Sequence, residues 1–178
     1  NELEKEPKWK VISKEILRES AVELKLNPNK IKTIFEKKKR RVFDEIVQTF
    51  ISGDYHLEKK MIKTVTNVIH RFGAEGYKII IGRAANCICS DIKYSLHIRI
   101  DAPLEWRIER VEKTKKISKE EAQNWILQTE RDRESFRKSV KGQKVESDDY
   151  DLTINQATFS DDDVVKIIIN VLKLKNII

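Results

Sequence analysis

The chain has 178 residues, enough for one domain with a real core. Charged residues make up 37% and the apolar set 39%, a soluble, helix-rich balance rather than a disordered one. The formal net charge of +7 fits anionic partners such as nucleotides, nucleic acid or acidic membrane surfaces, and an ordinary solvated lysine surface explains it equally well. No apolar run approaches the ~20 residues of a spanning helix, and no secretory signal is visible. The two cysteines, Cys87 and Cys89, are spaced C-x-C and cannot easily pair with each other. With His56, His70 and His97 they do not make a convincing four-ligand zinc set, so no metal site is expected. Free thiols point to a reducing, cytoplasmic setting.

In chain order, Lys8 to Ile12 reads as a short strand or extended entry. Ser13 can cap a helix through Lys25 with Ile16, Leu17, Ala21 and Leu24 on one face. Asn27-Pro28-Asn29 breaks it, and a longer helical pattern runs from Ile31 to Phe50, ended by Gly53-Asp54. A helix from about Leu57 to Phe72 follows, with Gly73 as its C-cap. Lys78 to Ile81 is a continuous apolar strand, as in a strand covered on both faces, and His97 to Ile100 is a second. Pro103 opens a helix at its first turn, to about Lys113. Ser118 with Glu121 is a capping box that starts a long helix to roughly Val140. Tyr150 to Asn155 is the last strand, and Ser160 with Asp163 caps a final helix carrying Val164, Val165, Ile168, Val171 and Leu172. Strands alternating with helices give an α/β fold, a mostly parallel sheet with helices on both faces.

Two arrangements could carry chemistry. Arg83 directly follows the strand that ends in Gly82, and ligands of open α/β sheets bind beyond the carboxyl ends of strands. A permanently charged planar fork at that point suits a phosphate. Further on, Arg107 and Arg110 sit one turn apart, and Arg131, Arg133 and Arg137 lie in the second half of the long helix. The basic connector Lys113 to Lys116 lies between them. Two arginine-bearing helices on a short basic loop form a flap that could close over phosphates, neutralise charge and exclude water. The same arginines can pair with Glu105, Glu109, Glu130 and Glu134 in ordinary surface ladders. The run Lys37 to Arg41 is the densest charge block and reads first as a solvated helix face.

The ordered motifs IIIGRAAN, LHIRIDAPLEWRIERV, ISKEEAQNWILQTERDRESFRKSV and YDLTINQATFS resemble the cytidylate-kinase-like family of P-loop nucleoside monophosphate kinases. The resemblance spans roughly Tyr77 to the C-terminus, and VISKEILRESAVELKL is similar to the family's second strand and following helix. It implies a three-layer P-loop NTPase-type fold: one domain over residues 1–178 with a helical lid at about 107–137. It also implies phosphoryl transfer from ATP, with Mg²⁺, to a nucleoside monophosphate, with CMP or dCMP the first candidates. Carried over by position, Arg83 matches the arginine facing the acceptor phosphate, and Asn86 lines the same pocket. Arg107 and Arg110 match the pair opening the lid. Arg131 and Arg133 match the lid-helix arginines that reach the transferring phosphate and the acceptor, with Asp132 orienting them and Arg137 on the substrate side. Asn155 matches a supporting residue near the donor base. Arg40 and Arg41 are candidates for a further acceptor contact.

Two features depart from the family pattern. None of the five glycines forms a phosphate-cradling loop. NELEKEPKWKVIS resembles the tail of the first helix entering the second strand, so the first strand and P-loop are expected either upstream of Asn1 or lost from this protein. The motif G-R-A-A-N also carries Ala84 where the family has a glycine, which bears on backbone approach and positive φ. Two other readings stand beside the kinase. One is a non-catalytic nucleotide-binding or regulatory protein on the same fold. The other is a nucleic-acid-binding module, against which the basic residues lack interleaved aromatics and no recognition motif is visible. Nucleotide substrates are thus the expected partners, with no nucleic acid and no membrane, and the sequence is silent on oligomeric state.

Overall fold

The computed structural model describes residues 8–25, 55–142 and 149–178. The long helix expected from Ile31, the basic run Lys37 to Arg41 and the breaks at Asn27 and Gly53 lie outside these residues. The chain divides between Cys89 and Ser90 into two compact units, each of mixed helix and strand.

In the first unit, β1 (Lys10–Ile12) pairs in parallel with β2 (Lys78–Ile80), in the register Lys10–Lys78 to Ile12–Ile80. Helices α1 (Lys14–Glu23) and α2 (Tyr55–Ala74) pack on each other. The apolar stripe of α1 supplies Ile16, Leu17 and Ala21, and α2 supplies Met61, Val65, Val68, Ile69 and Phe72, all buried. Arg71 bridges the two helices from outside through ion pairs to Glu19 and Glu23.

Three local expectations change. Ser13 stands at the N-cap of α1, but its side chain makes no capping bond; its backbone N–H instead donates to Glu15 Oε2 at 3.0 Å. That bond leads the causes that lower the Glu15 pKa. Gly73 lies inside α2, which runs on to Ala74, and the left-handed residues come later at Gly76 and Tyr77. Strand β2 is open on one face rather than covered on both: Ile79 is 46% and Ile81 54% exposed. Helix α2 packs against β2, and among the described residues of this unit the remaining apolar side chains find no cover.

In the second unit, β3 (Ile98–Asp101) pairs in parallel with β4 (Leu152–Asn155), setting Asp101 opposite Asn155. Asp151 ties the start of this pair to the C-terminal helix α6 (Asp161–Leu174): its carboxylate accepts the His97 N–H at 2.7 Å and Lys175 Nζ at 2.9 Å. Burial raises the Asp151 pKa, but those two bonds outweigh it and the net shift is downward. Helix α6 is capped by Ser160 as its spacing implies, and Val164 is buried while Val165 is exposed. Between the strands lie α4 (Leu104–Lys115) and α5 (Lys119–Lys141), packed antiparallel. Pro103 is the N-cap of α4 rather than its first helical residue. The Ser118–Glu121 capping box is formed in both directions, and Gly142 closes α5 in the left-handed conformation. Parallel strand pairs with flanking helices make the fold α/β. Among the described residues no helix is long and apolar enough to cross a membrane.

Candidate functional site

The first site element is the turn after β2. Ile81 still donates to the Ile12 carbonyl at 3.0 Å, and the chain then enters three successive left-handed residues: Gly82 (φ 71°), Arg83 (φ 57°) and Ala84 (φ 55°). This reversal launches a single helical turn, α3 (Ala85–Ile88), closed by Ile88 N–H to the Ala84 carbonyl at 3.0 Å. Sequence reading did not separate α3 from the loop. Ala84, where the family pattern has a glycine, takes the left-handed conformation a glycine takes freely, and its methyl is buried. Arg83 and Asn86 are both half-buried beside this turn.

In the second unit the strands end at a shallow concavity of about 320 Å³ lined by Asp101, Ala102, Pro103, Thr153 and Asn155. Asp101 Oδ1 accepts the Ala102 N–H at 2.9 Å, and its Oδ2 takes Arg99 through Nε at 3.1 Å and Nη2 at 2.6 Å. Burial pushes the Asp101 pKa up; the Ala102 N–H, Arg99 and the charge of Arg107 together outweigh it, so the carboxylate stays ionised to lower pH than usual. Asn155 Oδ1 accepts the Ala157 N–H at 3.0 Å, which fixes the turn leaving β4.

The helical hairpin holds the remaining candidates. Ile108, Ala122 and Ile126 form its buried centre, with Leu104, Val111, Ile117 and Trp125 around them. Arg107, one residue before Ile108, is half-buried and ion-paired through Nη1 to Glu130 of α5. Its Nε is buried and has no hydrogen-bond partner among the described residues. Arg110 lies over the Trp106 ring at 5.1 Å, with Nη2 3.8 Å from Asp161. Arg131 donates to Gln128 Oε1 at 2.9 Å, and Gln128 Nε2 donates to Asp132 Oδ1 at 2.7 Å. Asp132 is therefore linked to Arg131 through Gln128. Arg137 pairs with Glu134 at 2.7 Å, and its buried Nε has no partner among the described residues. Arg133 is exposed and makes no ion pair or hydrogen bond among the described residues. In the basic connector, Lys115 stacks over Trp125 at 4.4 Å.

Arg83 and Asn86 thus share the first unit, and the other described candidates share the second. Within the second, Arg107 pairs with Glu130 and its charge helps lower the Asp101 pKa, whereas Arg110, Arg131 and Arg137 each have a partner of their own. Arg40 and Arg41 lie outside the described residues. Sequence reasoning missed Gln128 and the pairing of Glu130 with an arginine of the other helix. Spacing rules see neighbours three or four residues apart; Glu130 reaches Arg107 only through the packing of α4 on α5. Among the described residues no three His, Cys, Asp or Glu side chains group as a metal site. The arginines fit an oxyanion: the orphaned Nε of Arg107 is a donor without an acceptor.

The profile of the cytidylate kinase-like family matches residues 1–158. Among solved structures, an uncharacterized protein from Eubacterium ventriosum superposes with a TM-score of 0.59 at 19% identity, over 89% of this chain and 89% of that one. That likeness is one of fold. No curated protein matches the chain. With a family profile spanning most of its length and the ordered arginine motifs in place, the chain belongs to the cytidylate kinase-like family.

Proposed function

We propose that this protein transfers the γ-phosphoryl group of ATP to a nucleoside monophosphate, with CMP and dCMP the first acceptors to test. The observation that carries the reading is Arg107: a half-buried arginine beside the carboxyl end of β3, clamped by Glu130 and with one donor unclaimed. Arg83, on its left-handed turn, binds the acceptor phosphate, and Asn86 lines that pocket. Arg107 and Arg110 open the lid. Arg131 and Arg133 neutralise charge on the transferring group, Asp132 orients Arg131 through Gln128, and Arg137 supports the substrate side. Asn155 steadies the region of the donor base. Catalysis of this kind is positioning and charge neutralisation without a covalent intermediate. Magnesium, when bound with the nucleotide, would screen the phosphate charge; it is held largely by phosphate oxygens and water, so a cluster of protein carboxylates is not required.

In the same proposal, residues 1–178 are one domain of three-layer P-loop type with the lid at about 107–137, working in the cytoplasm. The test is an ATP-dependent screen of CMP, dCMP and other monophosphates with the full-length protein, alongside Arg83→Ala. Turnover with one of them, and acceptor binding weakened by ~2–5 kcal/mol in the variant, is expected. Acceptor binding without turnover would overturn the catalytic reading in favour of a non-catalytic nucleotide-binding protein. That alternative draws on one observation, that none of the chain's own glycines forms a phosphate loop.

A further inference from the structure

The guanidinium of an arginine offers two edges. One, made by Nε and Nη2, presents two parallel N–H groups to an oxyanion; the other is made by Nη1 and Nη2. In Arg137 the partner Glu134 sits on the same helix and takes Nη2, so the first edge is half consumed. In Arg107 the partner comes from the facing helix, and Glu130 takes Nη1. Both groups of the first edge are left without a protein partner among the described residues, and one of them, Nε, is buried. The pair spans 23 residues of sequence and joins α4 to α5 beside the buried Ile108 and Ile126. Its geometry therefore depends on how the two helices pack.

We infer that Glu130 is a positioning residue: by holding the Nη1 corner of Arg107 from the opposite helix, it presents the Nε–Nη2 edge to a phosphate oxygen pair of the nucleotide. The inference rests on the reading of Arg107 as a nucleotide-binding group. Its distinguishing requirement is reach rather than charge. Glutamine at 130 keeps an oxygen at the same distance, while aspartate keeps the charge and withdraws the oxygen by one methylene.

The test is calorimetric titration of the full-length protein with ATP and with inorganic tripolyphosphate. Arg107→Ala and Glu130→Ala are each expected to weaken binding about tenfold, the size of one coupled contact. Glu130→Ala should add nothing in the Arg107→Ala background. Glu130→Gln should bind within about twofold of wild type, and Glu130→Asp should bind nearly as weakly as Glu130→Ala. If Glu130→Gln binds more tightly than wild type, Glu130 is a competing anion and the inference is overturned while the nucleotide reading stands. An undiminished Glu130→Ala loss in the Arg107→Ala background would overturn it as well. If Arg107→Ala binds as wild type does, the reading beneath it falls and takes the inference with it. Should Glu130→Ala fail to fold, the ranking of Gln over Asp decides.

Discussion

The turn after β2 and the hairpin after β3 both hold arginines, but by different means. Arg83 stands on a main-chain device: Gly82, Arg83 and Ala84 are all left-handed, and its side chain leaves from that turn. Arg107 is held by a side chain, the carboxylate of Glu130 on the facing helix, on helices whose packing is apolar. A backbone device resists small changes in surroundings but is sensitive to residue type at two or three positions. A side-chain device depends on whatever keeps two helices in register.

The largest effect should follow from loosening that register. Ile108 is fully buried, and Ile108→Ala should cost ~2–5 kcal/mol in urea unfolding. Amide protection should fall first in α4 and α5, while the turn at Arg83 keeps its exchange pattern. Equal loosening of both regions would break the distinction drawn here.

The backbone device gives a smaller and signed prediction. A Cβ at Gly82 would meet nothing within 4 Å, so Gly82→Ala is a purely conformational change at φ 71°. The left-handed cost of ~1–2 kcal/mol, less what alanine recovers by restricting the unfolded chain, leaves about 1 kcal/mol of destabilisation. Ala84→Gly runs the other way. It relieves the same strain but frees the unfolded chain and gives up a buried methyl worth ~0.8 kcal/mol, so the net change should be near zero. A loss above about 2 kcal/mol in Ala84→Gly would show that packing, not φ, holds this turn.

The smallest effect concerns acid. Asp101, Asp151, Glu121 and Asp163 of the second unit all have lowered pKa values, against Glu15 in the first among the described groups. A carboxylate lowered in the folded state stabilises it above the ordinary carboxylate range, and this is lost as pH falls through the lowered value. Below about pH 4, protection in β3, β4 and α6 should therefore decline before that in β1 and β2. Asp151→Asn should make that decline shallower. Simultaneous loss in both units, unaffected by the variant, would contradict the assignment.

What could be read from the sequence was local. Apolar periodicity found the longer helices and the strands, and the spacing of Ser118 to Glu121 and of Ser160 to Asp163 located two helix starts, because a capping bond reaches only three residues. The same rule failed at Ser13, where Glu15 competes for the backbone by folding back two residues. The continuous apolar run of β2 implied two covered faces, yet the run itself carries no record of which neighbours are present. The arginines were legible as residues, and Arg83 as a position after a strand. Their partners were not: Gln128 is a polar residue with no pattern of its own, and Glu130 meets Arg107 only after two helices have folded against each other.

The hairpin also has an optical consequence. Of the chain's three tryptophans, Trp106 and Trp125 lie on α4 and α5, each under a cation, Arg110 and Lys115. Trp9, the third, sits edge-on to Tyr77 at 5.7 Å beside β1. Two of the protein's three indoles therefore lie on the helices that carry Arg107, Arg110, Arg131, Arg133 and Arg137. Any movement that lifts Arg110 or Lys115 from its ring changes the field across that indole. Closure over a nucleotide would write itself into the natural fluorescence, with no label added.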